Sequence, residues 1–215
     1  MSKRYRKGEL VIDALKQVEL SLDKGQLIAV SGPSGSGKST LLNLIGLLDQ
    51  PSAGTIELFG KRCESLNRAE RQRMRRKYLG FIFQNFNLLP VLNAVENVEL
   101  SLYGHALSKE KMRETALNML RQVGLLNRAY HYPRELSGGQ QQRVGIARAL
   151  VHQPRLVMAD EPTANLDTKS ATDIIELMRL LSHEIGTTFL VSTHDPRLLK
   201  NMDREVTLTD GVLLS

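Results

Sequence analysis

Among 215 residues there is one cysteine and no tryptophan, and no run of eighteen apolar residues occurs anywhere. Cys63 alone cannot close an internal disulfide, and no Cys/His spacing resembles a zinc site, so neither a disulfide framework nor a structural metal knot is available. Without a long apolar run, no transmembrane helix is expected. The first residues, Met1-Ser-Lys-Arg-Tyr-Arg-Lys7, are basic and lack the apolar stretch that a secretory signal needs, so a reducing cytoplasm is the expected compartment. Internal repeats, low-complexity tracts and linkers are also missing, which excludes a tandem array.

What is present is ordinary for a globular chain. Hydrophobic residues make up 41% and charged residues 24%, near the averages for soluble proteins, so disorder and fibrous structure are excluded. The length suits one well-cored domain divided into lobes. The net charge of +6 is concentrated in one segment, Arg68, Arg71, Arg73, Arg75, Arg76 and Lys77. A solvated helix face, contact with anionic lipid headgroups and contact with nucleic acid all fit that segment.

Apolar periodicity predicts a buried strand at 27–31 feeding a glycine-rich loop, a buried helix from Thr40, strands over Gly54–Leu58 and Leu79–Phe83, and a helical basic segment between them. From about Asn93 to Leu150 the pattern is helical, with stretches at 95–102, 109–123 and 140–150. Strands are predicted again at 156–160 and 188–192, a helix at 168–185 and a closing hairpin at 206–214. Helices are thus inserted between two halves of an α/β lobe.

Gly32-Pro33-Ser34-Gly35-Ser36-Gly37-Lys38-Ser39-Thr40 has the spacing of a phosphate loop. Its glycines let successive N–H groups face phosphate oxygens, and the following helix adds partial positive charge at its N-terminus. Lys38 is expected to reach the β and γ phosphates of ATP, Ser39 to hold Mg²⁺, and Thr40 to add a phosphate contact. Asp160 and Glu161 end an apolar strand. In a phosphate-loop enzyme the first such acid holds Mg²⁺ and the second serves as general base for the attacking water.

Leu136-Ser137-Gly138-Gly139-Gln140, within LSGGQQQR, resembles the signature of the ATP-binding-cassette ATPases, and the resemblance extends over nearly the whole chain. It implies an α/β phosphate-loop NTPase fold: a RecA-like core lobe (1–86 and 154–215) with an antiparallel β subdomain, and an inserted α-helical subdomain (87–153). It also implies that the pentapeptide acts in trans, facing the phosphate loop of a second, identical subunit, with two ATP sandwiched between them. Gln84 matches the glutamine that touches Mg²⁺ and the attacking water. Ala164, Asn165, Leu166 and Asp167 match the dimer-contact loop, and His194 matches the switch histidine at the γ-phosphate. Tyr5 resembles the aromatic that stacks on adenine. Members usually begin with a further strand before that aromatic, whereas only four residues precede Tyr5, so the first strand is expected to be missing or the start misplaced.

The segments 78–90 and 93–98 look most like the stand-alone ATPases of the lipoprotein-releasing and macrolide-exporting group. That similarity implies an ATPase subunit on the cytoplasmic face of the membrane, peripheral through an integral permease of the FtsX/MacB type, for export or lipoprotein extraction. The cell-division member of the group, acting on an extracytoplasmic hydrolase system, is the alternative. A soluble DNA-repair, chromosome-structuring or translation ATPase fits less well, because the span from Gln84 to Leu136 is too short for a coiled-coil insertion. No specific nucleic acid is expected.

Overall fold

The computed structural model describes residues 1–8 and 10–214. The elements follow as β1 (Lys3–Lys7), β2 (Leu10–Leu15), β3 (Leu27–Ser31), α1 (Lys38–Ile45), β4 (Glu57–Leu58), β5 (Lys61–Arg62), α2 (Arg68–Tyr78), β6 (Leu79–Ile82), α3 (Ala94–Glu99), α4 (Lys109–Gln122), α5 (Gly138–Leu150), β7 (Leu156–Asp160), α6 (Thr168–Ile185), β8 (Thr188–Ser192), α7 (Pro196–Leu199), β9 (Arg204–Thr209) and β10 (Val212–Leu214). Six strands form the central sheet in the order β10-β9-β3-β8-β7-β6. All neighbours pair in parallel except β10, which turns back on β9.

β3 and β8 are buried along their whole length because both faces of the sheet are covered, which is why they read as unbroken apolar runs. Alternation along each strand divides the core in two. Leu27, Val157, Ala159, Phe189 and Val191 face a cluster shared with α3, α4, α5 and α6. Ile28, Val30, Leu156, Met158 and Leu190 face a second cluster containing the apolar side of α1. The sheet is an α/β sandwich whose chemically important ends are the carboxyl ends of β3, β7 and β8.

Between β6 and β7 the chain is helical. α3 starts from a capping box in which Asn93 and Glu96 bond each other's backbone N–H, and α5 starts from the same arrangement between Ser137 and Gln140. No helix among the described residues is long and apolar enough to cross a membrane.

Two antiparallel pairs, β1-β2 and β4-β5, lie apart from the main sheet. The strand expected over Gly54–Leu58 is only two residues long. Its ladder ends where β5 ends; beyond it the Ile56 carbonyl accepts from Cys63 N–H at 2.8 Å, and Ala53 makes an isolated bridge to Ser2. The β1-β2 hairpin was not expected from the sequence: Leu10-Val-Ile-Asp-Ala-Leu15 shows no clean alternation, and Tyr5 sits within β1.

Candidate active site: a cleft at the carboxyl ends of the strands

The loop that follows β3 is held so closely that two of its glycines cannot be replaced. Gly32 has φ 141°, and a Cβ there would stand 2.0 Å from the Leu208 carbonyl oxygen; at Gly37, with φ 106°, it would stand 2.5 Å from that of Ala14. The chain therefore curls back on β2 and β9 before entering α1. Lys38, at 6% exposure, folds over this loop, and its Nζ donates to the carbonyls of Gly32 at 2.8 Å and Pro33 at 2.9 Å. No carboxylate pairs with it among the described residues. Ser36 Oγ is buried without a partner. A buried ammonium, an orphaned hydroxyl and the free N–H groups of a helix start together lack one thing, an anion.

Beside this loop lies a cleft of about 590 Å³ lined by Ser34, Gly35, Gly37, Lys38, Ser39 and Thr40, by Tyr5 and by Glu161. That volume is within the range of small-molecule sites. Tyr5 is fixed by its hydroxyl, which donates to Asp49 Oδ2 at 2.9 Å, while Lys3 bonds the other carboxylate oxygen and lies 4.8 Å from the ring centre. Burial, reinforced by the Asp49 hydrogen bond, raises the phenol above its ordinary value, so the ring remains neutral.

At the ends of β7 and β8 a chain of short hydrogen bonds places the acids. Ser192 Oγ donates to Asp160 Oδ1 at 2.6 Å and accepts the Glu161 N–H at 2.9 Å. Ser39 Oγ donates to the same Asp160 oxygen at 3.1 Å. Glu161 has φ 44°, a left-handed conformation that is costly outside glycine and persists where neighbours impose it. Its Oε1 lies 3.2 Å from His194 Nδ1, on a largely exposed imidazole. The Ser192 hydroxyl, which holds both acids, was not identified as a site residue from sequence. Its signal is positional: a polar side chain closing an apolar strand, two residues before His194.

The adjacent Ser39 and Asp160 oxygens suit Mg²⁺, which prefers hard oxygen donors and takes one or two from protein, the rest being phosphate and water. No group of three His, Cys, Asp or Glu side chains placed to hold a metal ion is found among the described residues, and such a group is not required for that coordination. Gln84 is exposed, and its backbone ties it in: Asn165 Nδ2 donates to the Gln84 carbonyl at 3.1 Å and to Asn85 Oδ1 at 3.0 Å. Ala164 donates to the Glu161 carbonyl at 3.2 Å. Asp167 caps α6, with hydrogen bonds from Ser170 holding its carboxyl below the usual range.

The pentapeptide stands elsewhere. Leu136 is buried, Ser137 caps α5, and Gly138 lies close to Leu166 and Phe86. None of Leu136, Ser137, Gly138, Gly139 or Gln140 lines the cleft. The phosphate loop and the acid pair meet in one site, and the pentapeptide does not join them within the chain.

The family model described as "ABC transporter" matches residues 15–164, more than half of the chain. The protein belongs to the ABC transporter family. Its α/β fold is the ABC ATPase fold, and it is an ATP-hydrolysing enzyme. The chain is 45% identical over 213 residues to "Lipoprotein-releasing system ATP-binding protein LolD" of Shewanella sp. (strain MR-4), covering 99% of this chain and 92% of that one. It is 46% identical to the protein of the same name from Legionella pneumophila (strain Lens), covering 98% and 93%. Among solved structures, the dimeric post-hydrolysis state of the ATP-binding cassette MJ0796 bound to ADP and Pi superposes with a TM-score of 0.90 at 44% identity, covering all of this chain and 94% of that one. The resemblance to the lipoprotein-releasing and macrolide-exporting group is thus borne out.

Proposed function

We propose that this ABC ATPase works as a homodimer that closes around two ATP and two Mg²⁺ and drives a separate integral membrane permease of the FtsX/MacB type, in lipoprotein extraction or export, from the cytoplasmic face of the membrane. The observation that carries this reading is the separation of the pentapeptide from its own phosphate loop, which leaves each cleft without the donors that Ser137, Gly138 and Gly139 would present at a helix start. A second subunit supplies them. The names of the relatives and the dimeric state of the similar cassette support the assignment.

Within the closed site, Lys38 and the loop amides bind the β and γ phosphates, Tyr5 stacks on adenine, and Ser39 and Asp160, with Gln84, hold Mg²⁺. Bound there, the ion would supply positive charge to offset that developing on the phosphoryl group. Glu161 accepts the proton of the attacking water, and His194, 3.2 Å from that carboxylate, keeps it oriented and contacts the γ-phosphate. The Ala164–Asp167 loop meets its counterpart across the dimer. Segment 87–153 moves as a unit and passes closure to the permease. Glu161→Gln protein, which binds but does not hydrolyse, dimerises in saturating Mg-ATP and returns to monomer on nucleotide removal; light scattering that finds only monomer under both conditions would sink the sandwich.

A further inference from the structure

α5 carries two further polar side chains that reach the segments bearing Gln84 and Glu161. Gln142 is fully buried, a costly place for an amide. Its Nε2 donates at 2.6 Å to the carbonyl of Pro162, the residue after Glu161. Its Oε1 is buried and has no donor. Six residues on, Arg148 donates from Nη1 to the Asn87 carbonyl at 2.5 Å and from Nη2 to the Phe86 carbonyl at 2.7 Å. Burial lowers the Arg148 pKa, and no carboxylate pairs with it among the described residues. Phe86 and Asn87 are consecutive left-handed residues, φ 58° and 49°, neither of them glycine. Such a pair persists only when something outside the segment holds it.

The two anchors meet at Gly145. A Cβ at that position would be 3.8 Å from both Gln142 Oε1 and the Phe86 carbonyl. The orphaned acceptor therefore borders the segment that Arg148 grips, and any arrangement of α5 that brings an N–H to it is favoured over one that leaves it empty-handed.

We propose that Gln142 and Arg148 are positioning residues through which α5 sets the placement of Glu161 and Gln84 in this chain's own site. This rests on the trans role of Ser137 proposed above. Ser137 caps α5, so engagement of its hydroxyl and the neighbouring amides by the partner's nucleotide displaces the helix as a rod. The Pro162 and Phe86–Asn87 carbonyls follow it. Occupancy of one composite site thereby brings the general base and the glutamine of the other into register, and ATP hydrolysis becomes cooperative.

The test uses steady-state ATP hydrolysis by the full chain, with a fluorescent ATP analogue for affinity and thermal melting as a check on folding. Gln142→Met keeps length and volume without hydrogen bonds, and Arg148→Met does the same without charge. Both lower kcat on the order of 10²-fold, the cost of a misplaced reacting group, with KM and nucleotide affinity little changed and the Hill coefficient for ATP falling toward unity. Arg148→Lys, which keeps the cation and can still donate to one carbonyl, recovers part of kcat. Unchanged kcat and cooperativity in Gln142→Met and Arg148→Met, or a fall in kcat matched by a fall in melting temperature and absent at low temperature, overturns the proposal. If Glu161→Gln still dimerises on Mg-ATP in that event, the coupling fails while the sandwich stands; if it does not dimerise, both fall.

Discussion

The phosphate loop and the hydrolytic edge of the same cleft take their support from different distances along the chain. Between Gly32 and Lys38 the side-chain support is local: Lys38 bonds the carbonyls of Gly32 and Pro33, six and five residues away. At the other edge the groups proposed to act in hydrolysis are held by remote segments. Ser192 holds Asp160 and the Glu161 amide from thirty-two and thirty-one residues away, and Asn165 holds the Gln84 carbonyl from eighty-one. A loop that closes on itself binds nucleotide whatever the lobes do, whereas an edge assembled from several segments can be opened and closed by moving one of them. On the proposed reading, binding and turnover are therefore separable in this molecule.

The largest break in that contrast comes from Glu161→Gln, which removes the base and keeps the fold; kcat falls on the order of 10²–10⁴-fold while ATP affinity, measured by fluorescence titration, holds. Next is Ser137→Ala. Loss of a transition-state donor lowers kcat on the order of 10²–10³-fold, again with affinity intact, and uncapping α5 costs about 1 kcal/mol of stability. Lys38→Ala works on the opposite edge. Removal of a charge-assisted contact weakens ATP binding on the order of 10²-fold, which isothermal titration would detect at once.

The smallest effect concerns the junction of the helical segment and the sheet. His152 bonds the Leu79 carbonyl at 3.1 Å, and burial, with His105 nearby, lowers its pKa below the ordinary value while the carbonyl opposes that shift. A base with a depressed folded pKa binds more protons when unfolded. Its contribution to stability is thus complete above about pH 6.5 and is lost as pH falls through the lower, folded value. Melting temperature should drop between pH 7 and pH 5, and by less in His152→Gln.

The sequence conveyed the first edge better than the second, for a physical reason. A phosphate loop is one continuous segment in which glycine spacing, a lysine and a helix start all serve local geometry, so Gly32 to Thr40 could be read directly. Leu27–Ser31 and Thr188–Ser192 were equally plain, being buried on both faces. Ser192, Gln142 and Arg148 each act on a backbone group distant in sequence, and nothing in the local pattern distinguishes a serine ending a strand from one that binds two acids. β1 and β2 were missed because Leu10–Leu15 lacks alternation, and the 54–58 strand was overextended because its length depends on a partner only two residues long.

Complementation between two inactive variants tests the central claim, that the pentapeptide completes the other subunit's site. Lys38→Ala protein and Ser137→Ala protein are each assayed alone and then mixed in equal amounts with Mg-ATP. In a mixed dimer the two defects fall in one composite site and leave the other whole, so ATPase activity rises above that of either component, to about a quarter of wild type under random pairing of a two-fold dimer if the sites work independently and to less if the damaged site no longer sets the register of the whole one. A mixture as inactive as its components would contradict the account.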